Sequence, residues 1–216
     1  MSTSASKSAK KVKYRSGFYS VLRFLLGRPV LFFSRVRVVG RENEPKCGEG
    51  SYLLICNHLR WYDPIWLCAA LKEYQPHFMA KKESFRIPVL NWILKGVGAY
   101  PVNRGGADVG AIRHTISLLK EGKTVGMFPQ GHRYTGEDPR QTEVKPGIAM
   151  IAVRAGVPVL PVFIKAEGNT PRFLRKKELI IGKPITQAEM NYDPEASGEY
   201  ARISNFLFEK VCELGD

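Results

Sequence analysis

The sequence lacks an uninterrupted apolar run long enough to span a bilayer. The best candidate, residues 18–33, is broken by two arginines and by Gly27 and Pro29. A spanning helix needs about 20 predominantly apolar residues, and a signal peptide needs a compact apolar centre followed by a small-residue cleavage site. Arg35 and Arg37 follow here instead. We therefore expect neither a transmembrane span nor export from this segment.

Cysteine is scarce and has no recognisable spacing. The chain of 216 residues has four cysteines, with no Cys-x-x-Cys pair and no dense framework. Disulfide scaffolds and structural zinc sites depend on such spacings, and no other ligand cluster of suitable spacing appears. We expect reduced thiols in a cytosolic compartment, no metal and no other cofactor. The cysteines are Cys47, Cys56, Cys68 and Cys212.

Acidic residues are absent from the first 41 positions, which contain ten Lys and Arg. The formal net charge is +13, so only +3 is left for the rest of the chain. A basic end suits either nucleic acid or an anionic membrane leaflet. Residues 18–33 favour the membrane, because they form an apolar surface carrying Arg23 and Arg28 that a solvated nucleic-acid arm has no reason to contain. We predict no nucleic-acid partner.

Composition and charge divide the chain into three regions. We predict a disordered basic head over residues 1–13, an amphipathic helical membrane-surface segment over 14–35, and one folded domain over 36–216. The hydrophobic content of 44% and charged content of 25% are typical of globular proteins, and the length allows one domain with a sizeable core. The alternative for the second region is a first pair of core helices with a solvated basic face.

Short runs with strand character alternate with helical patterns along the chain. The strand-like runs lie at residues 36–39, 52–56, 77–80, 124–128, 159–164 and 179–181. Asp108 is predicted to cap a helix that stops at Gly122. A second helix is predicted over 146–155, ending at Gly156, and a third after Pro194. This alternation predicts an α/β layered fold with a largely parallel central sheet flanked by helices.

A histidine and an aspartate follow the run 52–56 at a spacing that suits a catalytic pair. Residues 57–63 read Asn-His-Leu-Arg-Trp-Tyr-Asp. At the carboxyl end of a strand, Asp63 can orient the ring of His58 and stabilise its charged form. His58 can then act as a general base toward a substrate hydroxyl. The competing interpretations are a packed histidine and an aspartate that only caps the following helix.

Two further loops carry an arginine. Arg104 stands in a Gly-rich turn at residues 98–106, before the helix capped by Asp108. Arg133 ends the segment 128–133, which reads Phe-Pro-Gln-Gly-His-Arg after another strand-like run. Arginine can clamp a phosphate bidentately, although a solvated arginine explains either loop alone. The P-loop pattern for nucleotide triphosphates is missing. Loops that follow parallel strands converge at one sheet edge, so we predict a single site for an anionic substrate.

These segments together resemble the 1-acylglycerol-3-phosphate acyltransferases of the lysophospholipid acyltransferase superfamily, over roughly residues 36–185. Four ordered blocks with family-like spacing are a stronger signal than any one block. They comprise Asn57, His58 and Asp63; Gly98, Pro101 and Arg104; Phe128, Pro129, Gly131 and Arg133; and Val157, Pro158 and Pro161.

The resemblance implies a reaction and roles for these residues. His58 would deprotonate the acceptor hydroxyl, Asp63 would orient and charge the histidine, and the alkoxide would attack an acyl thioester without a covalent enzyme intermediate. Arg104, with Lys81 and Arg133, would hold the phosphate of the acceptor. We place Gln130 and Gly131 with these substrate-binding residues. Supporting positions are Asn57, Gly98, Pro101, Phe128, Pro129 and Pro161.

The third block departs from the family pattern at two positions. Gln130 stands where the family usually has Glu, and His132 where it has a small hydroxyl residue. A charge and a hydroxyl are therefore missing. Glutamine still accepts a hydrogen bond and can also donate one. We predict a tolerated variant with an altered acceptor preference.

The expected reaction converts lysophosphatidic acid to phosphatidic acid in phospholipid biosynthesis, at the cytoplasmic face of the cell membrane, by a peripheral or monotopic protein. The donor is acyl-CoA or acyl carrier protein, and the basic run 172–177 suits an acidic carrier or anionic lipid headgroups equally. The alternatives are another acceptor (glycerol 3-phosphate or another lysophospholipid) and a non-catalytic lipid-binding protein, which only the altered third block favours.

Overall fold

The computed structural model of the chain describes residues 15–103, 108–172 and 174–216. Within these ranges, seven strands form one sheet in the order β1-β7-β6-β2-β5-β3-β4. The strands are β1 (Val36–Val39), β2 (Leu53–Cys56), β3 (Pro76–Lys81), β4 (Tyr100–Val102), β5 (Thr124–Met127), β6 (Val159–Ala166) and β7 (Lys177–Ile181). Neighbouring strands are parallel except β6 and β7, which are antiparallel.

Helices cover both faces of the sheet. The α-helices of the described ranges are α1 (Gly17–Phe33), α2 (Asp63–Ala70), α3 (Pro88–Gly96), α4 (Val109–Lys120), α5 (Gly147–Ala155), α6 (Gln187–Met190) and α7 (Glu199–Glu213). One core lies between the sheet and α4, α5 and α7, and the other lies between the sheet and α2, with α1 packed against it.

Strand β2 shows why these residues form a central parallel strand. Leu53 and Ile55 point into the core beneath α4, α5 and α7, and Leu54 and Cys56 point into the core beneath α2. All four are fully buried, because side chains alternate between the faces and both faces are covered. The predicted α/β layered fold with a largely parallel sheet is confirmed.

Most predicted elements lie close to their expected positions. Asp108 caps α4 by accepting the N–H of Ala111 at 2.9 Å, and α5 ends at Gly156 in the left-handed conformation (φ +69°). The third predicted helix begins at Glu199, five residues after Pro194. The segment expected to be a Gly-rich turn contains strand β4. The prediction of a turn was wrong for these three residues. Pro101 lacks an N–H and therefore indicates a turn, but an edge strand such as β4 can accommodate a proline.

Helix α1 is continuous through Gly27 and Pro29 and docks through a narrow contact. Tyr19 and Gly27 are its buried residues. The Tyr19 hydroxyl donates to the carbonyl of Cys68 at 2.9 Å. Large apolar side chains face outward, led by Phe24 (82% exposed) and Phe32 (76% exposed). No helix in the described ranges is long and apolar enough to cross a membrane. The predicted basic head, residues 1–13, lies outside the described residues.

Candidate active site

The first and third predicted blocks meet at the carboxyl edge of the parallel strands. β2, β5, β3 and β4 run side by side in the same direction. His58 lies two residues beyond the end of β2, Phe128 directly follows β5, and Lys81 ends β3. Parallel strands present their carboxyl ends at one edge. The structure therefore brings together segments that are far apart in the sequence, as in the contact of His58 with Gln130, which are 72 positions apart.

His58 and Asp63 form a buried hydrogen-bonded pair. The Nδ1 atom of His58 lies 2.8 Å from Oδ2 of Asp63, and the two side chains are 11% and 0% exposed. The same oxygen accepts the backbone N–H groups of Leu59 at 2.7 Å and Arg60 at 2.8 Å. Asp63 is the first residue of α2, where the helix dipole favours a negative charge. Oδ2 of Asp63 thus contacts the imidazole and two backbone N–H groups at once.

Phe128 fixes the plane of the imidazole. Its ring stacks on that of His58 with centroids 3.9 Å apart and an interplanar angle of 15°, and it stacks in turn on Phe78 at 5.9 Å. With Nδ1 facing Asp63 and one ring face covered, the orientation of the histidine is set. The other ring nitrogen, Nε2, is on the side of the ring away from the carboxylate. That nitrogen is the one available to exchange a proton with a substrate.

Gln130 holds the backbone of His58. Its Oε1 atom accepts the N–H of His58 at 2.8 Å, and its Nε2 atom donates to the hydroxyl of Thr142 at 2.7 Å. That hydroxyl donates to the carbonyl of Pro139 at 2.7 Å. Gln130 is 1% exposed, and both ends of its amide are bonded within the protein. This placement favours positioning over the substrate contact predicted from the sequence.

Asn57 ties the end of β2 to β6. Its Nδ2 donates to the carbonyl of Ile164 at 3.1 Å, and its Oδ1 accepts the N–H of Ile164 at 2.7 Å. The side-chain amide thus extends the backbone pairing of the two strands by one step. In the fourth block, Pro161 pairs with Ile55 of β2 and accepts the N–H of Gly182 at 2.9 Å. These two residues support the strand that presents His58.

Hydrogen bonds from the segment just after the third block hold the loop that contains His58. Tyr134 donates its N–H to the carbonyl of His58 at 2.9 Å, and the hydroxyl of Thr135 donates to the carbonyl of Leu59 at 2.6 Å. Gly131 makes the turn, with φ +69° and its N–H donating to the carbonyl of Phe128 at 3.0 Å. Pro129 accepts the N–H of Lys145 at 2.9 Å. His132 and Arg133 are exposed beyond this turn.

The second block is visible only in part. Gly98 has φ +74°, and a Cβ there would lie 2.7 Å from Cδ2 of His77, so glycine is required. Pro101 pairs with Ala80 across β4 and β3. Lys81 is half-exposed and lies 3.7 Å from a carboxylate oxygen of Glu83. Arg104, the predicted phosphate ligand, lies outside the described residues.

A thiol two residues before His58 is unsuited to nucleophilic catalysis. Burial raises the pKa of the Cys56 thiol well above its usual value, and the nearby Asp63 carboxylate raises it further. The thiol is therefore neutral near pH 7. Nucleophilic attack by cysteine requires the thiolate. Cys56 is therefore not a candidate nucleophile.

Thr142 belongs to the hydrogen-bond network of Gln130, and the sequence did not indicate it. It lies 12 positions after its partner Gln130, in a loop without helical or strand periodicity. A hydroxyl residue at such a position carries no spacing signal. Only the three-dimensional course of the 128–145 loop brings it to the amide.

The fold and the site define a class: an α/β protein with a buried His–Asp pair at the carboxyl edge of the parallel strands of its sheet. A family model described as Acyltransferase matches residues 35–165. The chain belongs to this Acyltransferase family.

Relatives and a solved structure agree with this assignment. The chain is 34% identical to "1-acyl-sn-glycerol-3-phosphate acyltransferase" of Bacillus subtilis, over 83% of this chain and 87% of that protein. It is 36% identical to the Streptococcus pneumoniae protein of the same name, over 53% of this chain and 41% of that protein. The crystal structure of the 1-acyl-sn-glycerophosphate (LPA) acyltransferase PlsC from Thermotoga maritima superposes with a TM-score of 0.64 at 26% identity, covering 90% of this chain and 82% of that one.

Proposed function

We propose that this protein transfers a fatty acyl group from a thioester carrier to the free hydroxyl of 1-acylglycerol 3-phosphate, giving phosphatidic acid. The observation that carries the proposal is the buried contact of 2.8 Å between His58 Nδ1 and Asp63 Oδ2. The relatives from Bacillus subtilis and Streptococcus pneumoniae bear the name of this activity, which supports the choice of acceptor.

The reaction begins when Nε2 of His58 takes the proton of the acceptor hydroxyl as its oxygen attacks the thioester carbonyl. The Asp63 carboxylate stabilises the imidazolium that forms. The tetrahedral intermediate then collapses, the carbon–sulfur bond breaks, and the imidazolium returns its proton to the departing thiolate. The products are an ester and a free thiol, and no bond to the enzyme forms. A positioned general base contributes a factor of about 10²–10⁴ to such a rate.

Cationic side chains around the edge would hold the acceptor's phosphate. Lys81 stands at the end of β3 and Arg133 beyond the Gly131 turn, and both are exposed to an incoming ligand. Arg104 follows β4 in the sequence and completes this proposed set. A bidentate arginine contact to phosphate would fix the orientation of the glycerol backbone relative to His58.

Helix α1 would attach the protein to the cytoplasmic face of the membrane, with the domain 36–216 carrying the reaction. The first turn of α1 lies against α3, since Phe18 contacts Trp92 edge-to-face at 4.9 Å. Val89 and Trp92 of α3 are 68% and 65% exposed. An amphipathic helix flanked by basic residues binds an anionic interface through buried apolar area and charge attraction. Attachment would place the active site beside the leaflet that supplies the acceptor and receives the product.

The decisive experiment measures transfer of a labelled acyl group to lysophosphatidic acid in phospholipid vesicles. The parent protein, His58→Ala and His114→Ala are compared, because His114 is an exposed histidine on α4 and serves as the matched control. Phosphatidic acid formed by the parent and by His114→Ala but not by His58→Ala supports the proposal. Equal transfer by His58→Ala would overturn the role of His58.

Donor and acceptor are resolved in the same assay. Acyl-CoA and acyl carrier protein are supplied in parallel, and glycerol 3-phosphate and a second lysophospholipid replace lysophosphatidic acid in separate reactions. Faster transfer to either alternative acceptor would reassign the substrate. Lipid binding without transfer to any acceptor would favour a non-catalytic lipid-binding protein.

A further inference from the structure

A groove lies where α1 crosses α2. Gly27 of α1 faces Ala69 of α2, and a Cβ on the glycine would be in ordinary contact with the Ala69 carbonyl oxygen, at 3.8 Å. Beside this crossing is a cavity of about 270 Å³. Neither the acyl-transfer chemistry nor the packing of the core uses it.

Four cations surround the groove: Arg23, Arg28, Arg41 and Lys72. Two of them are anchored by the end of α2. Nε of Arg23 donates to the carbonyl of Leu71 at 2.8 Å, and Nη1 of Arg41 donates to the carbonyl of Ala70 at 2.5 Å. A guanidinium has five N–H donors, so each arginine keeps others for a ligand. Arg28 and Lys72 are exposed at the rim.

The cations of this groove lie close to one another. Burial lowers the pKa of Arg41, the Glu44 carboxylate raises it, and the like charge of Arg23 lowers it by a smaller amount. The Glu44 carboxylate accepts the backbone N–H groups of Lys72 and Glu73 at 2.8–2.9 Å. Among the described residues that line the groove, none is acidic. An anionic group placed there would meet four cationic side chains.

One wall of the groove is apolar and continues into the outward face of α1. Phe24 and Leu31 belong to this wall, and Phe24 is 82% exposed. A fitting ligand therefore has an anionic head and an apolar chain. A cavity of 270 Å³ lies just below the range of about 300–1,000 Å³ that is typical of small-molecule pockets. It matches a phospholipid headgroup whose chains stay in the bilayer.

We propose that the α1–α2 groove binds the phosphate of one anionic membrane phospholipid, with the start of its acyl chain along Phe24 and Leu31. The proposal rests on the membrane attachment proposed above and gives it a defined site in place of diffuse charge attraction. The groove is separate from the active site: Asp63 begins α2 and Ala70 ends it, which is about 10 Å at 1.5 Å per residue. A lipid bound there leaves His58 accessible.

The test uses the variant Arg28→Gln/Lys72→Gln, which leaves the two anchored arginines in place. The control Arg113→Gln/Lys120→Gln removes the same charge from α4, on the opposite face of the sheet. Binding of dihexanoyl phosphatidylglycerol is measured by calorimetry below its micelle concentration. Sedimentation with phosphatidylglycerol vesicles is measured in parallel.

The parent and the control should bind the short-chain lipid one to one. The groove variant should bind it about thirtyfold more weakly, because removal of each cation should weaken binding about fivefold. Equal binding by the groove variant, or an equal loss in both variants, would overturn the site. Acyl transfer in neutral detergent micelles is read separately. Its absence in the parent would refute the proposed function, whereas its retention in a groove variant that no longer binds the lipid would support a separate site.

Discussion

Gln130 accepts the backbone N–H of His58 through Oε1 at 2.8 Å, so the loop after β5 holds the residue at the centre of the loop after β2. The direction of the amide is fixed by its other end. The hydroxyl of Thr142 gives its single hydrogen to the carbonyl of Pro139 and therefore accepts from Nε2 of Gln130. A hydrogen-bonded chain thus runs from Pro139 to the backbone of His58.

Replacing Thr142 by Val should weaken this chain at its far end. The variant leaves a buried N–H of Gln130 without an acceptor, at a cost of about 1–3 kcal/mol in the free energy of unfolding. We expect kcat to fall with little change in the KM for the acceptor, because the position of His58 shifts and the phosphate site does not. Thr142→Ser keeps the hydroxyl and should behave like the parent in thermal unfolding and in turnover. A purely structural role would lower the stability of Thr142→Val without altering kcat of the folded fraction.

Replacing Gln130 by Glu tests the departure from the family pattern. A carboxylate still accepts the N–H of His58, but its second oxygen faces the Thr142 hydroxyl, which must then turn away from Pro139. We expect a change in kcat and an unchanged ranking of acceptors, because Gln130 is 1% exposed and does not face the ligand. Rates with lysophosphatidic acid, glycerol 3-phosphate and a second lysophospholipid give this ranking. A switch in acceptor preference would instead support the substrate contact predicted from the sequence.

Replacing Asp63 by Asn should remove the charge while preserving the shape of the loop. An asparagine oxygen can still accept the N–H groups of Leu59 and Arg60, but it does not stabilise an imidazolium as a carboxylate does. We expect a fall in kcat of about 10²–10⁴, the range attributed to a positioned general base. Asp193→Asn is the control, because Asp193 is an exposed aspartate near α7 that accepts the N–H of Glu195. Comparable losses in both variants would show that the effect is not specific to the pair.

The sequence could predict the catalytic edge because its signals are local. His58 and Asp63 are five positions apart, and the strand before them is recognisable by its apolar character. Strand β4 was missed because it has only three residues, one of them Pro101, which are too few to show an alternation of apolar and polar side chains. The contacts of Gln130 could not be predicted, since its side chain reaches Thr142 and the backbone of His58 only through the fold of the 128–145 loop. Local patterns thus predict which segments meet, while tertiary packing determines which atoms bond.

The outward face of α1 yields the last prediction. Phe24 and Phe32 are 82% and 76% exposed, so replacing both by Ser should leave the free energy of unfolding nearly unchanged. If α1 lies in the interface, the same change removes two aromatic side chains from lipid, and burial of each is worth up to about 1.5–3 kcal/mol. We therefore expect at least tenfold weaker sedimentation with phospholipid vesicles. Val109→Ser, at an exposed apolar position on α4, controls for the loss of surface apolar area. Unchanged vesicle binding by the Phe24/Phe32 variant would mean that α1 does not contact lipid, and attachment would then have to involve α3 or the basic residues alone.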